Sequence, residues 1–120
     1  MPAHKSVADF LEIETIPGND PRGETRRFLK ALAVAIDFAL QPIADFKTGK
    51  IYAYEALLRG HEKMGFQSIQ DLFDHAFDQG FLHCLDMVLR ALAMGKFSQM
   101  KRKKRTRLFF NLDNRILQSH

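Results

Sequence analysis

Two polar residues, Glu55 and Asn111, interrupt mostly apolar segments at residues 51–59 and 108–112. Burying a carboxylate is costly unless it is paired or coordinates a cation. The carboxamide oxygen of asparagine is a hard ligand that Mg²⁺, Mn²⁺ and Ca²⁺ accept beside carboxylates. At matching ends of two neighbouring strands, the two residues would form half of a metal site. From the residues alone, an ion pair or a solvent-facing edge strand explains Glu55 equally well, and a hydrogen-bonded core amide explains Asn111.

Arg59 extends this candidate site. It follows Glu55 by four residues, so in a strand both side chains lie on the same face, about 13 Å apart along the backbone. That distance is too long for a direct neighbour pair. The two long side chains can nevertheless converge on one ligand.

The histidines and the cysteine do not suggest a second site. The residues concerned are His61, His75, His83 and Cys84. Their spacing is not that of a regular metal site, and Cys84 lacks the surroundings that activate a nucleophile, so a packed helix residue is expected there. Glycine-rich phosphate loops are also absent from the sequence.

Period-two alternation predicts two strands joined by a tight turn. Apolar residues alternate with other residues from 34 to 41, and a second extended run covers residues 51–59. Between them, Gly49 lies in a turn at residues 46–50, where it supplies a backbone conformation with positive φ. We therefore predict a β-hairpin that carries Glu55 and Arg59 on its second strand.

Two helices and a third strand are predicted after the hairpin. Ser68 is placed to cap the first helix, and Gly80 to end it. One buried stripe of that helix is formed by Ile69, Leu72, Phe73, Ala76 and Phe77. The second helix has its apolar face at residues 85–92 and is expected to end at Gly95, before a strand at residues 108–112. This β-β-α-α-β order allows the second and third strands to run parallel.

The first 33 residues differ from the rest of the chain. Weak helical periodicity covers residues 6–16 and stronger periodicity covers residues 24–32, and the Pro-Gly-Asn-Asp-Pro segment at 17–21 separates them. We expect residues 1–33 to form a partly helical leader or interdomain linker and residues 34–120 to form the folded domain.

Composition excludes several classes of protein. A content of 46% hydrophobic and 27% charged residues is typical of a soluble globular chain, and a single cysteine excludes an internal disulfide framework. Neither a membrane-spanning run nor a secretory signal is present in the sequence, which favours a cytoplasmic location.

The net charge of +4 comes from one short segment of the chain. Seven of the 18 cationic residues lie between residues 96 and 107, so the remainder has 11 cations against 14 acids. Such a run can bind phosphates or an anionic surface. A solvated loop explains it better, because no aromatic residues interleave it as a base-stacking platform requires. Nucleic acid is therefore not the expected partner.

The hairpin and the elements after it resemble the opening of an EAL domain, the bacterial cyclic di-GMP phosphodiesterase family. Residues 40–59 contain Gln-Pro-Ile, a Thr-Gly turn and a strand that ends in Glu-Ala-Leu-Leu-Arg. Further on, the two helices and Phe-Asn-Leu at 110–112 occur in the family's order. The resemblance covers about residues 34–118. It implies an α/β fold, a partial TIM-like barrel whose first strand is antiparallel, with the active site at the carboxyl ends of the strands.

The resemblance also implies roles for five residues. Glu55 and Asn111 match the family's ligands for Mg²⁺ or Mn²⁺. Arg59 matches the arginine that binds a phosphate of cyclic di-GMP, while Gln41 and Leu57 match positions that line the substrate pocket. In the family, paired metal ions activate a water that opens the ring to linear pGpG.

The resemblance is incomplete in two respects. Gly60 stands where the family often has tryptophan, and the later metal ligands, including Asp-Asp-Phe-Gly, and the catalytic lysine do not occur before His120. We therefore expect residues 34–120 to be the N-terminal half of an EAL-like domain, inactive alone. The alternative is a degenerate EAL-like module without catalysis, which serves cyclic di-GMP signalling or binds a protein partner or a second copy of itself.

Overall fold

The computed structural model describes residue 20, residues 22–100, residues 106–111 and residue 115. Helix α1 (Glu24–Ala35) precedes strands β1 (Asp37–Ala44) and β2 (Ile51–Arg59). A short 3₁₀ helix (His61–Met64) leads to α2 (Ile69–Asp78) and α3 (Leu82–Ser98), and strand β3 (Arg107–Phe110) follows.

The three strands form one mixed sheet in the order β1-β2-β3. β1 is antiparallel to β2, and β2 is parallel to β3. The helices pack on the face that carries Phe38, Ala56, Leu58 and the half-buried Phe110, and one core joins these residues to leucines of all three helices. The opposite face of the sheet carries the candidate site residues.

A hydrogen-bonded turn connects β1 to β2. Asp45 Oδ1 accepts hydrogen bonds from the backbone nitrogens of Lys47 and Thr48, at 2.7 and 3.3 Å. Gly49 has φ of 72°, a left-handed conformation that costs glycine little. The amide of Gly49 also donates to the carbonyl of Asp45. The turn therefore sets the register that brings β1 and β2 together.

Helix α2 begins with the predicted cap. Ser68 Oγ accepts a hydrogen bond from the backbone nitrogen of Asp71 at 3.1 Å. After the helix, Gly80 has φ of 80°. The prediction that Phe77 belongs to the buried stripe is wrong, because Phe77 is 49% exposed. Its ring instead lies against the Arg115 guanidinium, 4.7 Å from the ring centre.

Helix α1 is longer than predicted and displaces the start of β1. It continues to Ala35, so β1 begins at Asp37 and not at residue 34. Val34, which the alternation placed in the strand, is 89% exposed on the helix. The alternation of apolar residues runs from the end of α1 through Ile36 to Phe38 in β1, so it did not mark where the strand begins.

The beginning of α1 is held by Asp20. Its two carboxylate oxygens accept hydrogen bonds from the backbone nitrogens of Thr25 and Arg26, each at 3.1 Å. Desolvation opposes ionisation of this carboxylate, but those hydrogen bonds leave the pKa of Asp20 below its usual value. Along the helix, Leu29 and Leu32 are fully buried in the common core. The division at residue 33 into leader and domain stays a prediction, and the weak helix predicted at 6–16 lies outside the described residues.

Two other predicted boundaries are wrong. Helix α3 passes through Gly95 and ends at Ser98, whose hydroxyl donates to the Gly95 carbonyl at 2.8 Å. Glycine in a helix lowers stability but does not end the helix when neighbouring residues pack. β3 covers Arg107–Phe110, so Asn111 directly follows the strand instead of lying within it.

Candidate functional site

The candidate residues occupy one face of the sheet. Gln41 is the direct partner of Glu55 across β1 and β2, and Phe109 is the partner of Glu55 across β2 and β3. Because directly opposed residues of neighbouring strands share a face, these three side chains form a row across the sheet. Leu57 and Arg59 lie on the same face, nearer the carboxyl end of β2. Glu55 and Leu57 are half-buried, whereas Gln41 and Arg59 are exposed.

Asn111 completes this edge of the sheet. It follows Phe110, the last residue of β3, and lies two residues beyond Phe109, the partner of Glu55. Parallel strands present their carboxyl ends at the same edge, so Asn111 lies near the level of Leu57 on the neighbouring strand. Asn111 is exposed. Of the two residues predicted to bind metal, Glu55 therefore lies on β2 and Asn111 directly follows the neighbouring strand β3, closer than Glu55 to the edge.

A cavity of about 310 Å³ opens at this edge between the sheet and α2. It brings together Leu57, Arg59 and Asn111 of the predicted site. Its other walls are Phe38, Ala56, Leu58, Ile69, Gln70, Phe73, Leu89 and Phe110. Glu55 and Gln41 do not line it, because they lie on the opposite face of the sheet, away from the helices. The cavity is thus mostly apolar, with a guanidinium and two carboxamides among its lining groups.

The Arg59 guanidinium is available to a ligand. Its Nη1 donates to the carbonyl of Leu58, in the same strand, at 2.9 Å. Within the described residues, no carboxylate forms an ion pair with Arg59. A guanidinium has five N–H donors in a planar fork, so the unused donors can bind a phosphate in bidentate fashion.

A long-range ion pair lies close to Arg59 in the sheet. Lys96 Nζ, in the last turn of α3, is 3.2 and 3.3 Å from the two carboxylate oxygens of Asp37. A hydrogen bond from the backbone nitrogen of Phe38 and the Lys96 ammonium lower the pKa of Asp37. From the sequence, Lys96 was assigned to the basic run, and this pair was not predicted because no local pattern joins residues so far apart in the chain.

Residues of α2 border the cavity and contact Arg115. Gln70 Nε2 donates to Asp74 Oδ1 at 2.9 Å, and an Arg115 guanidinium nitrogen lies 3.0 Å from the same oxygen. Sequence analysis missed these residues as well. Only the contact between Gln70 and Asp74 could have been predicted, because residues four apart in a helix are neighbours on its surface.

The donor set fits part of a site for a hard divalent cation. Glu55 and Asn111 offer oxygen ligands of the type that Mg²⁺ and Mn²⁺ prefer. Among the residues that the structure describes, however, no three histidine, cysteine or acidic side chains cluster closely enough to hold an ion.

The other reactive groups lie outside this site. Cys84 is half-buried on α3, and burial raises the pKa of its thiol, which agrees with a packed residue and not with an activated nucleophile. The basic run at 101–105 falls outside the described residues.

Comparison with known proteins identifies the class. The family model of the EAL domain matches residues 25–120. The chain therefore belongs to the EAL-domain family, the family of cyclic di-GMP phosphodiesterases, whose members generally use divalent metal ions and whose domain is a TIM-like barrel. Neither the curated proteins nor the solved structures contain a significant match to the chain. The match begins within α1 and covers the three-stranded sheet and the helices described above.

None of the helices in the described ranges combines the length and the apolar character that a membrane span needs.

Proposed function

We propose that this chain supplies the N-terminal half of an EAL-type cyclic di-GMP phosphodiesterase site. The observation that carries the proposal is the shared sheet face. Glu55, Leu57 and Arg59 occupy it on β2, Gln41 faces Glu55 from β1, and Asn111 follows the parallel strand β3. This arrangement lies within the segment that matches the EAL family.

The five residues have three roles in this proposal. Glu55 and Asn111 contribute oxygen ligands to Mg²⁺ or Mn²⁺, which when bound would activate the water that attacks a phosphodiester bond and yields linear pGpG. Arg59 binds a phosphate of cyclic di-GMP through its free N–H donors. Gln41 and Leu57 line the substrate pocket.

The chain alone is expected to bind nucleotide weakly and not to hydrolyse it. Two ligands do not hold two metal ions in the geometry that hydrolysis requires. Incubation of the 120-residue chain with cyclic di-GMP and Mn²⁺, followed by chromatography, should yield no pGpG. Appreciable pGpG formation would show that the residues present suffice for catalysis.

Binding tests the site itself. Calorimetric titration of the chain with cyclic di-GMP should show an affinity that Arg59→Gln lowers about tenfold or more, because a charge-assisted bidentate contact is lost. Arg26→Gln is the matched control, since it removes an exposed arginine on α1, which carries none of the proposed ligand contacts. Equal losses in the two variants, or no loss in Arg59→Gln, would contradict the assignment of Arg59.

A second candidate function is protein interaction without catalysis. The open sheet face exposes Ile51 and Phe109, at 45% and 42%, and β3 has no second neighbour among the described strands. An apolar face beside an unpaired strand edge favours association with another chain. Light scattering over a concentration series tests this candidate, and a monomer at every concentration would count against it.

A further inference from the structure

Asp37 and Arg59 are opposed in the sheet but not paired. They are direct partners in the antiparallel ladder between β1 and β2. Opposed residues of this kind have Cβ atoms about 4.5–5.5 Å apart and share a face, so opposite charges normally attract each other there. Asp37 instead contacts Lys96 and the amide of Phe38, while Arg59 donates to the carbonyl of Leu58.

The two side chains border different hollows. Arg59 lines the cavity of about 310 Å³ that contains Asn111. Asp37 and Lys96 line a separate hollow of about 250 Å³ between β1 and the last turns of α3. Lys96 therefore attracts the Asp37 carboxylate toward α3 and away from the proposed ligand cavity.

The position of Lys96 suits this role. It lies in the last turn of α3, where a cation is favoured by the helix dipole. Lys96 and Lys63 are the charges that act favourably on the Asp37 carboxylate. If Lys96 were absent, the cations left near the Asp37 carboxylate would be Lys63 and, directly across the ladder, Arg59. A carboxylate on Arg59 would compete with any anionic ligand.

From this geometry we infer that Lys96 is a positioning residue: by holding Asp37 against α3, it keeps the Arg59 guanidinium free for a phosphate-bearing ligand. The inference rests on the proposed function only for the nature of that ligand. Removal of Lys96 should let Asp37 pair with Arg59 instead. This exchange of ion-pair partners is a property of the protein alone, so it can be tested without ligand.

The first experiment follows the side-chain carboxyl carbon of Asp37 by NMR during a pH titration. When Lys96 is present, Arg59→Gln should leave the titration midpoint of Asp37 nearly unchanged, because Lys96 is the ion-pair partner of Asp37. In Lys96→Met, a further Arg59→Gln substitution should raise the midpoint, because Asp37 then loses its replacement partner. Spectra of the backbone amides report whether each variant is folded. An Arg59→Gln effect that is the same with and without Lys96 would overturn the inference.

The second experiment measures ligand binding. Lys96→Met should weaken binding of cyclic di-GMP and of inorganic pyrophosphate about twofold to fivefold, and adding Asp37→Asn should restore it. Lys50→Met, in the hairpin turn, controls for the loss of one positive charge. A failure of the double variant to recover affinity would contradict the inference. If no variant or wild-type protein binds either anion, the proposed function fails, and the NMR titration still decides the partner exchange.

Discussion

Gly60 links the proposed site to helix α1 at the scale of one residue. It follows Arg59 with φ of 95°, and a Cβ atom added to it would overlap the carbonyl oxygen of Ala35. Both the left-handed backbone and the close contact require glycine. Tryptophan, which the family often has at this position, would meet both obstacles in this backbone. Gly60, directly after the end of β2, is therefore packed against Ala35 at the end of α1.

Replacement of Gly60 should therefore be costly. We expect Gly60→Ala to lower the free energy of unfolding by about 2–4 kcal/mol, from left-handed strain plus steric overlap. Urea denaturation followed by circular dichroism measures the loss, since the chain lacks tryptophan. Gly65→Ala is the control: Gly65 has φ of 88° but open space around its Cβ position, so only about 1–2 kcal/mol is expected. Equal costs would mean that the contact with Ala35 is unimportant.

Because the pKa of Asp37 is lowered in the folded state, the stability of the protein should depend on pH in a definite direction. The hydrogen bond from Phe38 and the ion pair with Lys96 lower the pKa of Asp37 from its ordinary value of 3.8. Its contribution to stability is therefore complete above that value and disappears as the pH falls through the lower pKa of the folded state.

Denaturation at several pH values compares wild-type protein with Asp37→Asn. The wild type should be more stable at neutral pH, and its advantage should shrink below about pH 3.8. Asp78→Asn, which removes an exposed carboxylate at the end of α2, controls for a general loss of charge. If the wild type became more stable relative to Asp37→Asn as the pH falls, the result would contradict this ion pair.

At the scale of elements, α1 packs as part of the domain core. Leu29 and Leu32 are fully buried against the same core residues as the sheet and α3, and the family match begins within this helix. A leucine stripe on a short charged helix does not by itself reveal what it packs against. That is why sequence analysis grouped the helix with the preceding leader.

Truncating the buried stripe tests the packing of α1. Leu32→Ala should cost about 2–5 kcal/mol of unfolding free energy, the usual range for a buried leucine. Val34→Ala, two residues away and 89% exposed, should change it by less than about 0.5 kcal/mol. Similar small effects at both positions would show that α1 is only loosely attached.

Local patterns predicted some elements and could not predict others. The limits of β2 and the cap at Ser68 followed from alternation and turn chemistry that act over a few residues. The end of α1 did not, because Val34, Ile36 and Phe38 alternate across a boundary between helix and strand. Glu55 and Arg59 were placed on one face by strand geometry alone. The pairing of Lys96 with Asp37 depends on how α3 crosses β1, which no short segment encodes.

At the scale of the whole molecule, one core joins the described helices to the sheet. Because α1, the strands, α2 and α3 share that core, we expect a single cooperative unfolding transition. Far-ultraviolet circular dichroism reports the helices, and near-ultraviolet absorbance reports Tyr54, which is buried in β2. The two denaturation curves should coincide. Separated midpoints would mean that the hairpin and the helices are independent units.

The parallel pairing of β2 with β3 has a kinetic consequence. The β1–β2 hairpin closes over a short turn, whereas Ala53 must find Arg107 across two helices. Closing the longer loop costs more chain entropy, so β3 should dock late in folding. Asn111 then reaches the neighbourhood of Glu55 only in the last step. A cation bound by both residues would slow the departure of β3 far more than it would speed its arrival, and would thereby prolong the lifetime of the folded state.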